Sequence, residues 1–581
     1  MADLDRDLLA IQEVRTLLRR AHEAQQAFER FDQASVDRVT KAMVEAGARA
    51  AEPLAKLAVE ETGYGRVDSK TLKNLFATEV LWESIRDLKT VGIVRRDEAN
   101  GVYEVAAPYG VVASIIPTTN PTSTALFKGI VSVKARNATV MSPHPRSVRC
   151  IRESCRVLND AAVRAGAPDG LVLSLSEPTL ESTRELMHHR LTNVILATGG
   201  AGLVKAAYSS GKPAYGVGPG NVPAYVERTA DVEHAVRCIV SSQTFDWSTI
   251  CASEQSVIVD REIADATLAE FRRQGAHFCS EDETRALERL CVRGELMNPE
   301  IVGMAPVRLA ALAGFRVPES TTVLLAPQGG VGPKYPLSRE ILTPLLAWYV
   351  VKDWREGCRR CIEVLEFGGD GHTLGLHTRS EEVATAFALE KPANRILVNA
   401  PTSQGSVGLA TNVEASMTLG CGPMGRNISS DNITARHLVN LKRVAIVRPD
   451  WWDIEARYAA GRRGVEFPVA RSRHLVTPEG GSGERRAQEM TIGGESRHAA
   501  YGGYGGNARV TVPDEPPAWS AARFAEKRGQ TPVPADPPMR VAPSAPAPSP
   551  KTAVLASADP VVAALLGQVP GGAPASTPSA Y

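Results

Sequence analysis

Little in this 581-residue sequence speaks for a membrane, a nucleic acid or a disulfide framework. No run approaches the ~18 uninterrupted apolar residues that a membrane-crossing helix needs, so no span is expected. Lys and Arg total 66 against 65 Asp and Glu, leaving +1. Such a balance offers no field of one sign to recruit nucleic acid or an anionic surface. The start, MADLDRDLLA, is acidic and has no basic segment followed by an apolar core. A secretory leader is therefore not expected. Nine cysteines, an odd number read as scattered without C-x-x-C pairs, fit a reducing compartment better than a disulfide or zinc framework, and no metal is expected. No internal repeat is apparent. What remains is ordinary for a globular protein: 43% hydrophobic and 23% charged residues exclude a wholly disordered or fibrous chain. The length suggests two or three domains.

The first ninety residues read as helices. Val36, Val39, Met43 and Ala46 recur at helical spacing after Ser35, which is taken as the N-cap. Leu54, Leu57 and Ala58 continue the pattern until Gly63 and Gly65 break it. From Tyr103 onward, strands alternate with helices: strands at 111–116, 138–141, 171–175 and 194–197, helices at 124–136, 146–165 and around 179–189. Single helices between strands predict a parallel, doubly wound sheet, with its ligand at the carboxyl ends of the strands. A second α/β unit is expected to begin near Asp231, a helix cap, and to include strands at 255–259, 322–326 and 395–399. After about residue 450 the composition shifts, and 15 of the 39 prolines fall in 511–581. That tail is expected to be disordered, since it lacks the apolar surface to offset the entropy of ordering.

Three segments could carry chemistry. Cys251, in FDWSTICASEQS, ends a loop that feeds a strand, where a thiolate can face a cleft as a nucleophile. A buried small hydrophobe is the equal alternative. Asn120, in IPTTNPTST, follows the first strand of the sheet and could donate an amide N–H to an oxyanion, or simply form a turn before Pro121. Thr198, Gly199, Gly200, Ala201 and Gly202 lead from a strand into a helix and would offer backbone N–H groups to a phosphate. They do not spell GxGxxG, and a tight turn explains them as well.

Taken together and in order, ASIIPTTNPT, VMSPHPRS, ATGGAGLVKAAYSSGKPAYGVGPGN, TICASEQSVIV, PLSREILTPLLAWY, GGDGHT, PTSQGSVG and LGCG resemble the CoA-acylating aldehyde dehydrogenases. The likeness is to the aldehyde dehydrogenase half of bifunctional alcohol/aldehyde dehydrogenases, and also to acylating sulfoacetaldehyde dehydrogenases. It runs from roughly residue 10 to 447 and leaves no room here for an iron-dependent alcohol dehydrogenase half. It implies an aldehyde dehydrogenase fold: a Rossmann-like parallel-sheet cofactor domain (1–228 with the N-terminal helices), an α/β catalytic domain (229–424), a return segment (425–450) and the tail (451–581). It further implies Cys251 as nucleophile and Asn120 with the Cys251 N–H as oxyanion hole. Glu340 would sit at the nicotinamide ribose, His372 near the active site, and Thr198 to Gly202 beside the cofactor phosphates. Cys421 would be structural.

Two departures sharpen the expectation. Hydrolytic relatives carry a water-activating glutamate in an E-L-G-G-K segment, and Val217 stands in its place within GVGPGN. Valine cannot take a proton. A thioester on Cys251 is therefore expected to pass to a thiol, coenzyme A, rather than to water. After the second strand the sequence reads Ser142-Pro143-His144-Pro145-Arg146, with no carboxylate to hold ribose hydroxyls or repel a ribose phosphate. NAD is the expected cofactor, with NADP left open by His144 and Arg146. The expected reaction is oxidation of a short aldehyde, acetaldehyde first and sulfoacetaldehyde second, in a cytoplasmic homo-oligomer. A short helix at 554–566 on the Pro/Ala-rich tail suggests a tether to a bacterial microcompartment shell.

Overall fold

The computed structural model describes residues 5–294, 296–448 and 450–461. Of the tail, only 451–461 is described: Trp451–Ala459 is a helix where disorder was expected, while 462–581, with the helix expected at 554–566, lies outside the described residues. The N-terminal helices form as their spacing predicts, with Val36, Val39 and Met43 fully buried. The cap, however, is Asp32, whose carboxylate accepts from the Ser35 N–H, so the helix Gln33–Arg49 starts two residues before Ser35. A carboxylate there also complements the helix dipole. Gly63 closes Ala51–Thr62 in the left-handed conformation, as its position after the last periodic residue implied.

The first sheet has five strands in the order Val172–Ser174, Ala138–Pro143, Val111–Ile116, Thr192–Thr198, Ala214–Val217. All neighbours are parallel. The chain winds outward one way from Val111–Ile116 and then returns on its other side, so strand order reverses between Val111–Ile116 and Thr192–Thr198. The crevice at such a reversal is where an open α/β sheet takes its ligand. Lys128 marks the place: buried on the helix Pro121–Lys134, its Nζ donates to Ile115 O and Leu196 O, each at 2.8 Å. Burial holds this amine well below its ordinary pKa. The helix starts at Pro121, three residues earlier than its apolar spacing alone indicated, because proline suits a first helical turn. Around 146–165, a short 3₁₀ turn Pro145–Ser147 precedes the α-helix Val148–Arg164.

The second sheet has seven parallel strands, and Glu254–Asp260 lies near its centre beside Val222–Val226 and Leu345–Val351. Val222–Val226 already belongs to this sheet, so the chain crosses between sheets at 218–221 rather than at 228. Asp231 caps Val232–Thr244 by accepting from the His234 N–H. A third, antiparallel sheet joins Gly92–Asp97, Val102–Pro108 and Val439–Ala445, so the chain after the second sheet returns to the segment just before the first. All nine cysteines are free. Cys358 and Cys361 do have C-x-x-C spacing, yet both are buried on Trp354–Gly368 and pack in an apolar cluster with Leu374, Leu376 and Phe387. No described helix is long and apolar enough to cross a membrane.

Asn137 shows how the first sheet is pinned at its entry. Its Oδ1 accepts from Tyr109 N at 2.7 Å and Gly110 N at 2.9 Å, while its Nδ2 donates to Leu438 O at 2.9 Å. Asn137→Ala leaves three backbone groups without partners, and we expect a loss of about 2–4 kcal/mol in urea unfolding. A midpoint within error of the parent would show that these bonds are replaced by water.

Candidate active site

The helix Val232–Thr244 ends just short of an unusual turn. Asp246, Trp247 and Ser248 follow one another with φ of 54°, 50° and 63°. Left-handed backbone costs a non-glycine residue about 1–2 kcal/mol, so this turn must be held from outside. The holding group is the Asp246 carboxylate, fully buried. Its Oδ1 accepts from Arg66 N at 2.7 Å, and its Oδ2 from Lys70 Nζ at 2.9 Å, Thr249 Oγ1 at 2.6 Å and Lys73 Nζ. Burial alone would raise this carboxyl, but Lys70 and Lys73 together keep it below the usual carboxylate range. Gly65 admits the contact, since a Cβ there would lie 2.0 Å from Asp246 Oδ1. Both lysines come from the helix Val67–Leu75 at i and i+3, on one face. They reach onward to the loop after Val111–Ile116: Lys70 Nζ donates to Thr119 O at 3.0 Å, and Lys73 Nζ to Asn120 Oδ1 at 2.6 Å.

Beyond this turn stands Cys251, half-buried. Its Sγ lies 3.3 Å from His372 Nε2. The other ring nitrogen, Nδ1, is 2.9 Å from Thr373 Oγ1. With its proton on Nδ1 toward that hydroxyl, the ring presents Nε2 as an acceptor to the thiol. Burial, and secondarily the charge of Arg395, lower the His372 pKa to about 3, so the ring is neutral at physiological pH. The thiol is pushed the other way, above its ordinary value, by burial and by Glu340, with Arg395 opposing. Glu340 accepts from Gly220 N at 2.9 Å, and burial raises its carboxyl to about 8. Gly220 packs so closely that a Cβ would come within 2.2 Å of Cys251 O. The segment in which a hydrolytic glutamate would be sought therefore touches the thiol loop, and Val217 within it is buried.

Asn120 begins the helix Pro121–Lys134, yet its side chain makes no cap bond. Its Nδ2 donates instead to Thr249 O at 3.0 Å and Thr119 Oγ1 at 3.1 Å. The turn alternative is thus set aside, and the amide faces the thiol loop, two residues ahead of Cys251.

A family model described as "Aldehyde dehydrogenase family" matches residues 9–285. The crystal structure of an acetylating aldehyde dehydrogenase from Geobacillus thermoglucosidasius is 51% identical, with a TM-score of 0.76 over 76% of this chain and 98% of that one. The chain belongs to the aldehyde dehydrogenase family. Among its relatives are acetylating and acylating members, such as the acetylating succinate-semialdehyde dehydrogenase of Clostridium kluyveri, 34% identical over 74% of this chain and 95% of that protein. The bifunctional aldehyde-alcohol dehydrogenase of Escherichia coli is 41% identical over 440 residues, 75% of this chain and 49% of that protein. The chain thus spans about half the length of that curated relative. A propionaldehyde dehydrogenase of Rhodopseudomonas palustris, solved with bound CoA and an acylated cysteine, is 27% identical with a TM-score of 0.68, over 75% of this chain and 97% of that one.

The remaining predicted residues lie at or just past the carboxyl ends of two strands of the first sheet, Ala138–Pro143 and Thr192–Thr198. Thr198 ends its strand with Oγ1 buried and without a hydrogen-bond partner. Gly199 and Gly200 lead to the helix Ala201–Tyr208, whose first turn includes Gly202, and a Cβ on Gly200 would meet nothing within 4 Å. An orphaned hydroxyl beside open glycine backbone fits a nucleotide's hydroxyls and phosphates. Ser142 Oγ is 2.9 Å from Thr183 Oγ1. His144 Nδ1 accepts from Arg146 N at 3.1 Å, and Arg146 Nη1 donates to Tyr64 OH at 3.2 Å. Cys421 is buried among backbone contacts, consistent with a packing role. Among the described residues one group of metal-type donors occurs, His277, Cys279 and Glu283. There Glu283 already closes a capping box with Ser280 and pairs with His277.

Sequence reasoning missed Lys70, Lys73, Asp246 and Arg395. Two lysines at i and i+3 on one short helix were the one available signal.

The thiol's surroundings predict its titration. Protonated at rest, Cys251 should alkylate slowly at pH 7 and faster as pH rises. Glu340→Gln should change the pH 7 rate little, because the carboxyl, raised to about 8, is mostly protonated there. Above pH 8 the variant should alkylate faster than the parent, since it lacks the anion that disfavours the thiolate. Equal rates across the whole range would mean that Glu340 does not act on the thiol.

Proposed function

We propose that this chain oxidises a short-chain aldehyde to its acyl-CoA, with NAD as electron acceptor and CoA as the second substrate. The observation that carries the reading is Cys251 Sγ 3.3 Å from the acceptor nitrogen of a neutral histidine. Beside it lies Asn120, and the GVGPGN segment brings no carboxylate.

The chain's part runs as follows. His372 Nε2 takes the thiol proton as Sγ closes on the aldehyde carbon. Asn120 Nδ2 exchanges one of its two bonds for the developing oxyanion, joined by the Cys251 N–H. Losing one such donor typically costs ~10²–10³ in rate. When bound, NAD supplies the acceptor for the electron pair that leaves the substrate's C–H bond. Thr198 and the backbone of Gly199, Gly200 and Gly202 would hold its phosphates, with Ser142, His144 and Arg146 at the ribose end and Glu340 at the other. No carboxylate from the GVGPGN segment reaches the thioester left on Cys251 to activate water. The carboxyl that does approach, Glu340, is mostly protonated at pH 7. A thiol acceptor is thus favoured over water.

The His144–Arg146 segment has no carboxylate, which supports NADP as the second choice of cofactor. For the aldehyde, Arg395 is the cation whose charge reaches the thiol. It is buried, and its Nη2 and Nη1 are held by Gly420 O and Ser430 O with Nε alone unpartnered, which favours acetaldehyde or a similar uncharged aldehyde over sulfoacetaldehyde. Exposed Ile93, Leu441, Val444, Ile446 and Val447 gather on and beside the three-stranded sheet, which supports a homo-oligomer. A cytoplasmic location and a shell contact through the tail rest on sequence reasoning alone.

The test is NAD⁺ reduction with acetaldehyde, with and without CoA, followed by assay of acetyl-CoA. CoA-dependent NADH with stoichiometric acetyl-CoA is expected, and Cys251→Ala should abolish it in a folded protein. Equal NADH without CoA, with acetate as product, would establish hydrolysis and overturn the reading.

A further inference from the structure

We infer that Lys73 is a positioning residue for the oxyanion hole, fixing which end of the Asn120 amide faces the thiol loop. This rests on the oxyanion role proposed for Asn120.

A carboxamide has two nearly isosteric ends, an acceptor oxygen and a donor nitrogen, and only the nitrogen end can stabilise an oxyanion. With the ends exchanged, Oδ1 would face the developing negative charge and oppose it. Something must therefore break the symmetry. The N-cap position does not, because the side chain makes no cap bond. Lys73 does. Burial lowers the pKa of this amine to about 7 against the pull of Asp246, yet Asn120 Oδ1 at 2.6 Å, Thr249 Oγ1 and Asp246 Oδ2 together engage all three protons of the ammonium form, which has no acceptor to offer. Turning the amide over would set an NH₂ against an NH₃⁺. On the far side, Thr249 O at 3.0 Å accepts from Nδ2 and would repel Oδ1 in the same way.

Lys73 is itself given no freedom. It is 2% exposed, and it donates to Thr249 Oγ1 at 3.2 Å and to the Asp246 carboxylate as well as to Asn120. One ammonium thus touches the strained turn before Cys251 and the amide from the other sheet. Lys70 adds a parallel restraint on the backbone through Thr119 O. Lys70 cannot replace Lys73 at the side chain, because its Nζ bonds are made to Thr119 O and Asp246 Oδ2.

The experiment is a double-mutant cycle on the full chain: Asn120→Ala, Lys73→Met and both together, with kcat and KM for CoA-dependent acetaldehyde oxidation and the melting temperature measured for each. Asn120→Ala should lower kcat by ~10²–10³. Lys73→Met should lower kcat at least tenfold with little change in KM, yet cause no further loss in the Asn120→Ala background. Its effect on melting temperature should be the same in both backgrounds. That split separates positioning from mere structural support, which would lower kcat by the same factor in either background. Equal factors, or a parental kcat in Lys73→Met, overturn the inference. A parental kcat in Asn120→Ala removes the oxyanion role itself and is distinguishable from failure of the lysine alone.

Should Lys73→Met not fold, Lys73→Arg keeps the charge against Asp246. It should melt near the parent and still lose kcat, because a planar fork does not place a single donor where Nζ stands. Parental kcat in Lys73→Arg would overturn the assignment.

Discussion

The Asp246 carboxylate is the interaction on which the site depends. It is buried, it carries a charge, and it is shared by two lysines from a helix far away in sequence. Burial of a charge is costly unless paired and hydrogen-bonded throughout, and here two side-chain ammoniums, one backbone N–H and one hydroxyl meet the two oxygens. What the pairing secures is geometry. Three successive left-handed residues would relax if the carboxylate were lost, and the thiol lies only a few residues beyond them. The same lysines grip the end of the strand Val111–Ile116, so the two halves of the site, carried by different sheets, are set against each other by one ionic cluster.

Around the thiol, the environment works against ionisation at rest. A neutral histidine, a raised carboxyl and burial all favour the protonated sulfur, and Arg395 only partly offsets them. On the proposed mechanism, proton removal therefore coincides with bond formation to the substrate carbon. A low-dielectric pocket of this kind makes correctly aimed dipoles, such as the Asn120 amide, count for more than they would in water.

How much of this was legible beforehand follows from what each element depends on. The doubly wound sheet was readable because Val111–Ile116, Ala138–Pro143 and Thr192–Thr198 are short apolar runs separated by single helices. Cys251 and Asn120 stood out by their places next to strands, but they, His372 and Glu340 were given roles only through motif order, and the structure brings Cys251 beside His372. Gly220, adjacent to Glu340, is packed on the thiol loop, a closeness that no spacing rule encodes. The helix cap was misplaced by three residues because Asp32 and Ser35 are both good caps, and only the tertiary path of the chain chooses between them. The Lys70–Lys73–Asp246 cluster went unseen since lysines on a helix ordinarily face water. Its partners lie more than 170 positions away, and such pairings leave no short-range trace.

That separation has a consequence in time. Lys73 and Asp246 are 173 residues apart. At ribosomal speeds of about 5–20 residues per second, the lysine helix emerges roughly 9–35 s before its counterion exists. During that interval the nascent segment carries two ammoniums destined for the interior and nothing to neutralise them. The N-terminal helices can condense against the first sheet, but the corner holding Asn120 must stay hydrated and open until the second domain delivers its carboxylate. Final closure of the candidate site is thereby tied to completion of the later half of the chain.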